Sequence, residues 1–112
     1  MLEFNDFQTS SPDGLTAALG FRIYNDLRNE DQSADYVPNY DTNLKVFYLI
    51  NKDKAYVPVL HTKEIDFRIF KPLQEKLKEI NIFLAIVDNT GNTLYYQISD
   101  GLYEKPINKN PI

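Results

Sequence analysis

The sequence predicts an α+β domain in which a mixed, largely antiparallel sheet is packed by helices, and three observations predict it. Leu15, Ala18, Leu19, Ile23 and Leu27 recur at helical spacing. Leu44 to Ile50 and Ala55 to Leu60 are β-branched and aromatic runs on either side of a turn-like Asn51-Lys52-Asp53-Lys54. A second helical stretch then leads into an amphipathic hairpin within Ile82 to Pro106. With 112 residues and no repeat or low-complexity tract, one domain spanning 1–112 is expected.

In chain order, residues 1–11 mix polar residues with Phe4 and Phe7 and are expected to form a loose N-terminal arm. Pro12-Asp13-Gly14 opens the first helix, with Arg22, Asn25 and Asp26 off its apolar stripe. Residues 29–43 are polar, acidic and broken by Pro38, which predicts a surface loop. In the strand that follows the 51–54 turn, Pro58 removes a ladder donor, so that strand is expected at an edge or a bulge. Between His61 and Asn81, Ile69, Leu73, Leu77 and Ile80 form a helical stripe. Pro72 sits in the first turn of a helix running to about Ile80, or kinks one that begins near Glu64.

The last hairpin turns through Asn89-Thr90-Gly91-Asn92, residues that tolerate positive φ. A tight loop centred on Thr90 and Gly91 sets Val87 opposite Leu94, Ala85 opposite Tyr96 and Phe83 opposite Ile98, all on one face. The other face carries Ile82, Leu84, Ile86 and Tyr95, interrupted by Gln97, and is too apolar to lie against water. One face needs a helix, and the second or the edge needs another helix or a partner chain.

Composition narrows the function classes. Sixteen acidic against twelve basic residues give a net charge of −4, the wrong sign for a chain that binds nucleic acid mainly through its own phosphate contacts. The absence of cysteine excludes disulfides and thiolate metal sites, and a single His leaves little for any metal, so no cofactor is expected. The N-terminal residues lack a basic region followed by an apolar run, and no stretch approaches a membrane span, so a soluble intracellular chain is expected. No Gly-rich phosphate loop or nucleophile elbow is present.

Leu84-Ala85-Ile86-Val87, the polar turn Asp88 to Asn92, the Tyr95-Tyr96 pair and then Asp100-Gly101 follow one another at a distinctive spacing. In this the chain resembles the small Sen-fifteen subunit of eukaryotic tRNA-splicing endonuclease, over roughly residues 15–106. The resemblance implies a reduced tRNA-intron endonuclease fold and a structural subunit, without a catalytic triad, that pairs with a catalytic subunit and meets precursor tRNA only in the assembled complex. It implies a nuclear location, with the mitochondrial outer surface or cytoplasm as alternatives. Catalytic subunits of that enzyme use a Tyr as base, a His as acid and a Lys to stabilise charge. Here His61 falls after its strand, and Ile80 stands near where the Lys is expected, with Lys78 close by. His61 therefore suits a strand-to-helix junction better than catalysis, and Thr62 beside it is an acceptable helix cap.

Asp26, Glu30, Asp31 and Asp35 suit a solvated acidic surface, and Lys71, Lys76, Lys78, Lys105 and Lys109 a solvated basic one. The residues expected at an interface are Leu84, Ile86, Asp88, Leu94, Tyr95, Tyr96, Gln97 and Ile98, with Tyr95 presenting contact area and a polar tip on the second face. By position Asp88 to Asn92 matches the acidic docking loop of the family's structural subunits, with Asp88 its only carboxylate. The isolated chain is expected to dimerise through the same strand. Two rivals remain: a generic α+β interaction module, and a small metal-independent ribonuclease using His61.

Overall fold

The computed structural model describes residues 2–33, 35–60, 67–90 and 92–98. Its elements run α1 (Phe4–Ser10), α2 (Gly14–Glu30), β1 (Val37–Asp41), β2 (Val46–Asn51), β3 (Lys54–Leu60), a 3-10 turn (Phe67–Ile69), α3 (Phe70–Lys76), β4 (Asn81–Val87) and β5 (Thr93–Ile98). The strands form one sheet in the order β1-β2-β3-β4-β5, antiparallel except for β3 with β4. This is the expected α+β architecture, with two elements the sequence did not announce.

The first is α1. Residues 1–11 are not a loose arm: Phe7 is fully buried, with its ring 5.3 Å from Tyr24 and 6.3 Å from Phe47 between centroids. Asp6 accepts the Glu3 backbone N–H at 2.8 Å and so starts the helix. Two phenylalanines in a polar heptapeptide give too weak a period to reveal a helix this short. The second is β1, inside the segment expected to be a loop. It pairs Val37 with Ile50 through Asp41 with Val46. A strand with a neighbour on one side tolerates Pro38 and Asn39, which is why its composition resembles a loop.

Asp13 caps α2 by accepting the Thr16 N–H at 2.7 Å. The buried stripe of α2 is Ala17, Gly20, Ile23 and Tyr24, while Leu15, expected in the stripe, is exposed. Gly20 sets the stripe, because a Cβ there would lie 2.6 Å from Phe47 Cε2, so only glycine lets the helix approach that ring. Pro58 behaves as expected at a local edge. The β2–β3 ladder ends at Leu49 opposite Tyr56, so Pro58 lies beyond it, paired only with Ala85 on β4. Pro72 occupies the first turn of α3, the first of the two alternatives. The helix stops at Lys76, where Leu77 N–H reaches back to Leu73 O and Glu79 takes a positive φ of 66° before β4.

Helices cover both faces of the sheet. Phe7, Ala17, Ile23 and Tyr24 pack with Phe47, Leu49, Ala85 and Val87 on one side. Phe70 and Leu73 pack with Val46, Val57, Ile82, Leu84 and Ile98 on the other. The β1–β2 turn is fastened to α3 by Asp41, which is buried, pairs with the Lys76 ammonium and accepts the Asn43 and Leu44 N–H groups at 2.9 Å each.

Candidate protein-protein interface

The β4–β5 hairpin sets which side chains reach each face. Asp88 N–H donates to Asn92 O at 2.9 Å, and Asp88 Oδ1 accepts Thr90 N–H at 2.9 Å, Thr90 Oγ1 at 2.7 Å and Asn92 N–H at 2.9 Å. This aspartate-organised loop closes one residue earlier than a tight turn on Thr90 and Gly91 would. Val87 therefore pairs with Thr93, Ile86 with Leu94, Ala85 with Tyr95, Leu84 with Tyr96 and Ile82 with Ile98. The expected register was off by one, and a one-residue slip exchanges the faces of a whole strand. Tyr95 accordingly lies on the α2 side and Tyr96 on the α3 side, the reverse of the expectation.

Tyr95 is half-buried, and its hydroxyl donates to Asp26 Oδ2 at 2.5 Å, tying the last strand to α2. Burial first, and then that carboxylate, hold its pKa well above the ordinary tyrosine value. Burial likewise pushes Tyr56 up to about 12 and raises Tyr36. A general base at neutral pH needs the opposite shift; the Tyr95 hydroxyl serves instead as a donor to Asp26, and all three tyrosines as ring contacts.

On the α3 face the cover is partial. A seven-residue helix is about 10 Å long, whereas strands of six or seven residues run about 20 Å. Phe70 and Leu73 reach Ile82, Leu84 and Ile98, which are buried. At the other end Val59 and Ile86 are only half-buried, and Leu94 is 55% exposed, the most exposed large apolar residue described. Among the described residues nothing pairs with the outer edge of β5. That edge holds no proline and no charge.

The expected interface set thus divides. Leu94, Ile86 and Tyr96 share the partly covered face. Leu84 and Ile98 are core residues, and the Ile98 carbonyl accepts Gln74 Nε2 at 3.4 Å. Gln97 faces the α2 side and donates to Asn81 Oδ1 at 3.5 Å. Asp88 spends its carboxylate shaping the loop. The Asp26–Tyr95 and Asp41–Lys76 links escaped the sequence, where each aspartate was one of many in polar stretches. His61, Thr62, Lys105 and Lys109 lie outside the described residues. No group of His, Cys, Asp and Glu suited to a metal ion occurs among the described residues.

A family model described as Sen15 protein matches residues 22–110, from within α2 through all five strands. The chain belongs to the Sen15 family. It is a structural, non-catalytic subunit of the tRNA-splicing endonuclease and a member of that complex. The match covers most of the span that carried the resemblance and begins a little later, inside the first long helix. None of the curated proteins matches this Sen15 sequence. No described helix is long and apolar enough to cross a membrane.

Proposed function

We infer that this subunit joins the endonuclease through the outer edge of β5, pairing strand to strand with a catalytic subunit while Leu94 and Ile86 pack beside the join. The observation that carries the reading is the β5 edge, unpaired among the described residues, next to Leu94, the most exposed large apolar side chain among them. Backbone hydrogen bonds would supply affinity and the alternate side chains specificity, as in other strand-addition complexes. Tyr96 contributes from the same face, and Tyr95 acts indirectly by holding β5 against α2. Assembled, the subunit stabilises its catalytic neighbour and helps position precursor tRNA in the nucleus. Without that neighbour the same edge supports a homodimer.

The test is affinity isolation of the tagged chain, followed by identification of the chains that accompany it and a precursor-tRNA cleavage assay on the complex and on the purified chain alone. The reading expects a catalytic endonuclease subunit in stoichiometric yield, intron excision by the complex only, and loss of the partner on Leu94→Asp. Cleavage at intron boundaries by the pure chain, abolished by His61→Ala, would instead favour the ribonuclease. Isolation of unrelated partners alone would favour the generic interaction module.

A further inference from the structure

On the α2 side of the sheet, four aromatic rings meet, one each from β3, β4 and β5 and one from Tyr36, the residue before β1. Tyr56 and Phe83 are paired neighbours on β3 and β4, stacked with centroids 5.1 Å apart at 20°. Tyr36 meets Tyr56 edge-on at 6.1 Å, and Tyr95 meets it at 6.0 Å and 84°. Gln97 continues the row opposite Phe83. Tyr56, Phe83, Tyr95 and Gln97 are each half-buried, so this row is partly open to solvent. Three carboxylates surround it: Asp26, bonded to the Tyr95 hydroxyl, Glu30 in the exposed last turn of α2, and Asp53 in the β2–β3 turn. Cations stand nearby as well: Lys54, exposed further out on β3, Lys52 beside Asp53, Arg28 over Tyr24, and Arg22 one helical turn before Asp26.

We propose that this aromatic row, with Glu30 and Asp26 at its rim, is a second docking surface that receives an arginine side chain from a partner polypeptide. Ring faces carry negative quadrupole charge and attract a cation, and a planar guanidinium stacks on them while donating to nearby oxygens. The tyrosine hydroxyls, the Gln97 and Asn81 amide oxygens and the Glu30 carboxylate supply those acceptors. Burial is the main cause of the raised Tyr56 and Tyr95 pKa values; smaller contributions from Asp53 and Glu30 at Tyr56, and from Asp26 and Glu30 at Tyr95, put these carboxylates within electrostatic reach of the rings. Those carboxylates repel phosphate, so a nucleobase on this platform would bring its backbone against the acidic rim. The row lies on the opposite face of the sheet from Leu94 and Ile86, so it stands or falls separately from pairing at β5.

The experiment is an amide NMR titration of the full chain with an acetylated, amidated (Gly-Arg)3 peptide, its citrulline counterpart and a short oligo-uridylate. The proposal expects shifts centred on Tyr56, Phe83 and Gln97, and no saturable binding of the citrulline peptide. Glu30→Gln and Phe83→Leu should each weaken the arginine peptide by roughly fivefold. Glu30 is exposed, so its variant keeps the fold and isolates the electrostatic part. Equal binding of the citrulline peptide, shifts elsewhere, or an unchanged Kd in Glu30→Gln would overturn the proposal. Tighter binding of oligo-uridylate at the same amides would replace it with a nucleobase platform.

Discussion

At one edge of the sheet, β1 carries Pro38, which offers no N–H, and Asn39, whose side chain donates to the Val37 carbonyl at 3.2 Å. It ends at a buried Asp41 held by Lys76, and α1 packs against it. At the other edge, β5 is a six-residue run without proline, charge or covering element among the described residues. An unpaired strand is an aggregation hazard unless it is blunted or used. Among the described residues the chain blunts one edge with several devices and not the other, which lies beside a 55% exposed leucine; the proposed strand pairing rests on that contrast.

The largest effect should come from breaking the blunted side. Phe7→Ala removes the ring that seats α1 among Tyr24 and Phe47, and should cost about 3–5 kcal/mol in denaturant unfolding. Amides of β1 should lose hydrogen-exchange protection before those of β4. Next, Leu94→Asp should weaken assembly about tenfold or more while shifting unfolding free energy by no more than about 0.5 kcal/mol, because the side chain is largely exposed. Measuring both on one preparation separates interface from fold.

Smaller again is Tyr95→Phe, which deletes the hydrogen bond to Asp26 and should cost about 1 kcal/mol with assembly retained. It should also flatten the alkaline limb. The folded Tyr95 pKa is raised, so the stability it contributes is complete below about pH 10, the unfolded value, and declines above it. The last expected effect is read in the slope of the acid limb. The Lys76 ammonium, then the Leu44 N–H, hold Asp41 below its ordinary range, so its contribution is present above about pH 4 and lost as pH falls through the folded value. Asp41→Asn should reduce the slope of stability against pH below 4 in thermal unfolding.

What the sequence revealed follows the length and cleanness of its patterns. The α2 helix, the β2–β3 hairpin with its Asn51–Lys54 turn and the β4–β5 hairpin were legible, because each joins a strong apolar period to turn or cap residues. Elements whose stability is tertiary were not. Phe7 supplies the burial that makes α1 a helix, and β1 is a strand because β2 pairs with it. The register of β5 was lost to one hydrogen-bond set, since Asp88 closes the loop on Asn92 and moves the pairing by one residue. That slip moved Tyr95 from the expected interface to a strut on Asp26 and brought Leu94, rather than Tyr95, to the surface. A charge at position 95 would meet the Asp26 carboxylate, so Leu94 is the position at which to test the edge.

Amide hydrogen exchange on the chain alone at dilute concentration and then in complex with the catalytic subunit probes the two edges at once. Added protection at Thr93 to Ile98, with β1 amides from Val37 to Asp41 unchanged, is the predicted result. Protection gained on β1 with β5 unaffected would contradict the assignment of the open edge to the partner.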